Sequence, residues 1–122
     1  MAKRVKRASK VAQGTREVNV IPTVRIRPQY RQYKLLFPEI KDSIKIFNEY
    51  KRVIPPRELP GKMKDHVLDG KLKGIRECHL APDVLLLYTH EGDTVRMLYI
   101  CQHEDLYGKR AKQIAALIKE LL

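Results

Sequence analysis

Ile75-Arg76-Glu77-Cys78-His79-Leu80-Ala81-Pro82-Asp83-Val84-Leu85-Leu86-Leu87-Tyr88-Thr89-His90-Glu91-Gly92-Asp93-Thr94-Val95-Arg96-Met97-Leu98-Tyr99-Ile100-Cys101 is the stretch that decides the fold. It divides into three strand-like runs, 75–81, 84–90 and 95–101. Pro82-Asp83 separates the first pair, and Glu91-Gly92-Asp93 separates the second as a hairpin loop. Links this short cannot carry a parallel crossover, so the three runs form an antiparallel meander. The apolar run 84–88 suits the central strand, covered on at least one face by helices.

Upstream, residues 18–27 are rich in β-branched side chains, and the alternation Val24-Arg25-Ile26-Arg27 predicts a strand beginning near residue 23 and ended by Pro28. Residues 29–37 and 39–52 read as two helices divided by Pro38, which fits the first turn of the second. Ile40, Ile44 and Phe47, extended by Tyr50, recur at helical spacing and mark a core-facing stripe. Pro55, Pro56, Pro60 and Gly61 make 53–62 a loop, and Gly70 and Gly74 flag turns. Residues 105–122 end in a helix with Ile114, Leu117, Ile118 and Leu121 on one stripe. It docks on the sheet, or else awaits another protein. The order is tail–β–α–α–β–β–β–α, an α+β domain over 18–122 with helices on one side of a small sheet.

The chain has 122 residues, room for one core. No apolar run approaches the roughly 18 residues a membrane-spanning helix needs. Two cysteines, Cys78 and Cys101, exclude a disulfide framework and suit a reducing compartment, the cytoplasm. The 25 Lys and Arg against 14 Asp and Glu give a net charge of +11, which points to a polyanionic partner, most simply nucleic acid. Six basic residues and no acid in residues 1–16 place +6 in the tail. Residues 1–17 read as a disordered basic arm able to add salt-sensitive phosphate contacts, or as a solubilising tail. Residues 51–76 hold eight basic side chains against Glu58, Asp65 and Asp69, which accounts for the remaining charge.

Three of the four histidines sit in polar clusters around the strands. These are Lys64-Asp65-His66, then His79 with Asp83 four residues on, then Gln102-His103 with Tyr107 four residues on. His90 falls at a hairpin tip. Metal-free RNA cleavage needs a base for the 2′-hydroxyl, an acid for the departing 5′-oxygen, and cationic groups for the phosphorane. Imidazole titrates near neutrality and suits the proton transfers; Lys or Arg supplies the charge. The same histidines could be structural hydrogen-bonding residues. Cys78, His79, Cys101 and His103 could also be read as a zinc set, although their spacing matches no common zinc pattern.

One ordered series carries more than composition does. Lys64-Asp65-His66-x-Leu68-x-Gly70-x-x-Lys73-Gly74-x-Arg76-x-x-His79-x-x-Pro82-Asp83, a Leu-rich strand ending at Tyr88, and Gln102-His103-x-Asp105-Leu106-Tyr107-Gly108 together resemble the YafQ branch of the RelE/ParE toxin superfamily. The resemblance covers roughly residues 64–108. It implies a RelE-like sheet with helices on one face, here with an extra C-terminal helix. It also implies a type II toxin that cuts translated mRNA in the ribosomal A site without metal or other cofactor, and that is neutralised by a cognate antitoxin.

Carried over residue by residue, the resemblance marks His66, His79, Asp83 and His103 as catalytic. His103 is the first choice for acid to the leaving oxygen. Asp83 or His79 would act as base or orient one, and His66 would stabilise the phosphate or share proton transfer. Tyr107 stands where the family usually has Phe and could stack on an mRNA base. Two departures stand out. Val84 replaces a common Trp, and the run Tyr99-Ile100-Cys101-Gln102-His103 lacks the Arg that usually precedes the last His. Lys71, Lys73 or Arg76 are the candidates to supply that missing charge. The rival readings are a non-catalytic RNA- or DNA-binding protein on the same fold, and a ParE-like gyrase poison.

Overall fold

The computed structural model describes residues 18–122; the basic arm lies outside the described residues. Five strands form one sheet in the order β1-β5-β4-β3-β2. They are β1 (Val20–Pro22), β2 (His66–Val67), β3 (Arg76–Ala81), β4 (Val84–Glu91) and β5 (Thr94–Cys101). β3, β4 and β5 are the antiparallel meander, and β2 adds to its edge antiparallel to β3. β1 pairs with β5 in parallel, Val20 opposite Val95. Gly92, at a φ of 61°, takes the left-handed turn between β4 and β5 that a side chain would resist.

β4 reads as a continuous apolar run because both of its faces are buried. Val84, Leu86 and Tyr88 face one core; Leu85 and Leu87 face the other. The first core is closed by α1 (Ile26–Leu36) and α2 (Ile40–Lys51). α1 turns Tyr30 and Tyr33 toward it, and α2 turns Ile40 and Phe47, both fully buried. The second is closed by α4 (Ala111–Glu120), through Ile114, Ala115 and Ile118. The short helix α3 (His103–Tyr107) joins β5 to α4. The C-terminal helix is therefore docked, on the face opposite α1 and α2.

The N-terminal strand differs from its expected place. β1 occupies Val20–Pro22, and α1 begins at Ile26, so the alternation Val24–Arg27 straddles a turn into a helix. Pro28 does not end a strand; it sits in the first turn of α1, where its missing N–H is no loss. Pro38 likewise precedes α2, which starts at Ile40. The expected terminal helix is two helices, broken around Gly108.

Candidate active site

Register assembles the site. Leu85 of β4 faces Cys101 of β5. Two residues back from Leu85 is Asp83, in the turn after β3, and two on from Cys101 is His103, the first residue of α3. The two meet at the same end of the sheet. Asp83 Oδ1 lies 2.7 Å from His103 Nδ1, and it also accepts the backbone N–H of His103 at 3.0 Å. The side-chain amide of Gln102 donates to Asp83 Oδ2 at 3.2 Å. These hydrogen bonds, that from the His103 ring foremost, pull the Asp83 carboxyl below its ordinary range. The ring donates from Nδ1, which leaves Nε2 for a substrate.

β3 brings in the second histidine. His79 sits across from Leu85, in line with Cys101, and its ring centroid is 5.3 Å from that of His103. Burial lowers its pKa despite the opposing pull of Glu77. Glu77 is two residues earlier on the strand and so shares the face of His79. Across the register from Glu77 stands His66 of β2. Glu77 Oε2 is 3.7 Å from His79 Nε2 and 3.4 Å from His66 Nε2. His66 Nδ1 donates to the carbonyl of Lys64 at 2.8 Å, which turns Nε2 inward. Lys64 itself adopts a left-handed φ of 52°, an unusual backbone state for a residue with a side chain, directly before the pair Asp65-His66.

Glu77 is the residue that the motif reading missed. It is only 2% exposed, and its Oε1 has no hydrogen-bond partner among the described residues. The signal was available, since Glu77-x-His79 on a strand puts both groups on one face. Tyr107, one helical turn after His103, lies 6.4 Å from its ring at a shallow angle of 25° and is largely exposed.

The cationic candidates separate. Arg76 cannot supply the missing charge, because strand alternation sends it to the other face of the sheet from Glu77 and His79. There its Nη2 bonds Asp65 Oδ2 at 2.9 Å and its Nε bonds Oδ1 at 3.3 Å, beside Tyr88, whose hydroxyl donates to the same carboxylate at 2.5 Å. Lys71 is exposed on the Gly70–Leu72 turn and lines a groove together with His66 and Tyr107. Lys73 is exposed and makes no ion pair among the described residues. His90 lies on the exposed end of β4, away from the cluster.

A cation could be held by Glu77, His79 and His103, whose ligand atoms lie within 4.8 Å of one another. The Cys78/His79/Cys101/His103 set does not form. Cys78 is fully buried on the face opposite His79, and burial pushes both thiols well above their ordinary range.

Comparison with known proteins identifies the family. The family model described as the bacterial toxin of type II toxin-antitoxin systems, YafQ, matches residues 22–108. The mRNA interferase toxin YafQ of Escherichia coli (strain K12) is 38% identical over 50 residues, which is 41% of this chain and 54% of that protein. The chain thus spans about half the length of the curated relative it matches. Among solved structures, a metal-bound toxin from Helicobacter pylori is 26% identical, with a TM-score of 0.58 over 75% of this chain and 100% of that one. The YafQ chain of the Escherichia coli DinJ–YafQ complex is 20% identical with a TM-score of 0.57, again over 75% and 100%, a likeness of fold.

Proposed function

The chain belongs to the YafQ family of bacterial toxins of type II toxin-antitoxin systems, and from that premise we propose that it is a ribosome-dependent mRNA endoribonuclease, an mRNA interferase, working by metal-free acid–base catalysis. The observation that carries the reading is the Asp83–His103 hydrogen bond at 2.7 Å beside a second, partly buried histidine 5.3 Å away. The two imidazoles have different surroundings, and such pairs divide acid and base roles. His79, kept neutral by burial, takes the proton of the 2′-hydroxyl as its oxygen attacks phosphorus. His103, held by the Asp83 carboxylate, gives a proton from Nε2 to the departing 5′-oxygen. The P–O5′ bond breaks, leaving a 2′,3′-cyclic phosphate and a 5′-hydroxyl end. Asp83 is a positioning residue. Lys71 supplies positive charge beside the phosphate, in place of the Arg absent near Tyr99, and His66 stabilises the phosphate by hydrogen bonding. Tyr107 stacks on a neighbouring base.

The partners that follow are the ribosomal A site with its mRNA, and a cognate antitoxin. The antitoxin is supported by the DinJ complex of the Escherichia coli relative. The proposed place of action is the cytoplasm; among the described residues no helix is long and apolar enough to cross a membrane.

The test is cleavage of a translated mRNA by the purified protein, with and without ribosomes, for the wild type and His103→Ala. Cyclic-phosphate ends that require ribosomes and vanish in His103→Ala support the reading. Intact mRNA with wild-type protein, together with salt-dependent RNA or DNA binding indifferent to His103→Ala, would overturn it in favour of a non-catalytic binder.

A further inference from the structure

The groove that Lys71 shares with His66 and Tyr107 lies between the Gly70–Leu72 turn and α4, is not lined by Glu77, His79 or His103, and has a volume of about 530 Å³. We propose that this groove is a subsite for the RNA nucleotide next to the scissile phosphate, with Lys71 and Lys112 on opposite walls holding its flanking phosphates. The proposal rests on the ribonuclease reading and names the part of the substrate that the new wall would take.

Continuity with the site is the first argument. His66 and Tyr107 line the groove, and both also adjoin the cluster, His66 at Glu77 and Tyr107 at His103. A chain threaded past the two catalytic histidines therefore has this groove as its next contact.

The shape is the second argument. The floor is apolar, built from Leu72, Leu106 and Ala115, and the α4 wall presents small side chains where larger ones would close it. A flat base needs such a surface, and stacking or apolar contact is how unpaired bases are held.

Charge is the third. Lys71 and Lys112 are both exposed, one on each wall, against the single carboxylate of Asp69. That balance suits a phosphodiester chain better than an acid-poor peptide. Asp69 offers an acceptor to the exocyclic amine of adenine, guanine or cytosine, which uracil lacks. The α4 wall lies beyond residue 108, outside the residues that the family model matches.

The experiment titrates the full-length protein into a short single-stranded RNA carrying 2-aminopurine, with 2′-O-methyl groups to prevent cleavage. Lys112→Gln and Ala111→Trp alter the groove without touching a catalytic residue, and Lys119→Gln serves as a control. Circular dichroism confirms the fold of each. Affinity is expected to fall about tenfold in Ala111→Trp, in line with the loss of one base contact, and to fall in Lys112→Gln by the loss of one phosphate contact. The slope of log affinity against log salt should flatten by about 0.7 in Lys112→Gln, the share of one single-strand phosphate contact. Lys119→Gln should match the wild type.

Unchanged binding in both groove variants, or no binding by the wild type at low salt, overturns the proposal. So does an Ala111→Trp protein that binds RNA normally but loses its antitoxin, since the groove would then belong to a protein partner. If RNA binding follows the groove variants while ribosome-loaded mRNA stays intact, the cleavage reading fails and the subsite stands.

Discussion

Asp83 grips His103 at two points, the ring Nδ1 at 2.7 Å and the backbone N–H at 3.0 Å, so one carboxylate fixes both the rotation of the imidazole and the entry of the chain into α3. Position and chemistry are coupled there. The carboxylate that selects the tautomer also anchors the helix carrying Tyr107. Removing the imidazole and removing its holder should have different consequences.

His103→Ala is expected to lower the single-turnover cleavage rate by ~10²–10⁴, the usual range for a proton-transfer group. Asp83→Asn should fall within the same range although the ring stays in place, because an amide facing Nδ1 no longer balances the imidazolium charge and can stabilise the wrong tautomer of the neutral ring. Rapid-quench cleavage measures the rates, and ¹⁵N chemical shifts of the His103 ring report the tautomer. An Asp83→Asn enzyme with wild-type rate and a rearranged tautomer would remove Asp83 from its positioning role.

A pH dependence follows from His79. Burial lowers its pKa from the ordinary 6.5, so the folded protein holds the neutral ring more strongly than the unfolded chain does. The unfolded chain takes up the proton first as pH drops. This contribution to stability is therefore full above about pH 6.5 and is lost progressively as pH falls below it toward the folded-state value. His79→Gln should flatten the change in urea midpoint over that window. The acid limb of the cleavage rate, set by protonation of the His79 base, should likewise lie below pH 6.5. A midpoint profile in His79→Gln identical to that of the wild type would show that other groups carry the acid sensitivity.

These residues also mark where the sequence is readable. The meander was legible because its links are too short for anything but antiparallel pairing, and because Leu85–Leu87 can only be a doubly buried strand. β2 was not. Two residues, His66 and Val67, carry no periodicity, and they pair only because β3 already presents an edge. The strand expected near residue 23 failed because Val24-Arg25-Ile26-Arg27 alternates by accident across a helix start, where Pro28 is as welcome as at a strand end. In the site, the motif pointed to the three histidines and Asp83, while period-two alternation, applied to β3, would have added Glu77 and removed Arg76. Motif spacing says which residues recur together. Strand parity says which face each one occupies.

Arg76 should therefore matter for folding and not for phosphate. It belongs to a half-buried network with Asp65 and Tyr88 on the α2 side of the sheet, where the buried Lys51 also sits with its ammonium 5.7 Å from the Tyr88 ring. Burial and the Asp65 carboxylate push the Tyr88 phenol upward, so it remains a donor. Tyr88→Phe leaves Asp65 short of one partner and should cost about 1.5–3 kcal/mol, as for a hydrogen bond to a charged group. Denaturant midpoints at unchanged slope check this. Arg76→Ala should also lower the midpoint, while the salt slope of RNA binding stays that of the wild type. A shallower salt slope in Arg76→Ala would return Arg76 to the phosphate.

The last prediction concerns the helix beyond the family match. Ile118 is fully buried in the second core, among Leu85, Leu87 and Leu98 of the sheet. Ile118→Ala opens a cavity under α4 and should cost about 2–5 kcal/mol. Leu35 is 82% exposed on α1, and Leu35→Ala should stay within about 0.5 kcal/mol. If α4 were only loosely attached, the two substitutions would be alike in urea titration. Helix docking instead requires a clear difference, with amides of α4 exchanging faster in Ile118→Ala than in the wild type. Because α4 is one wall of the groove beside His66, the same variant should weaken binding of the 2-aminopurine RNA even at temperatures where the sheet remains folded.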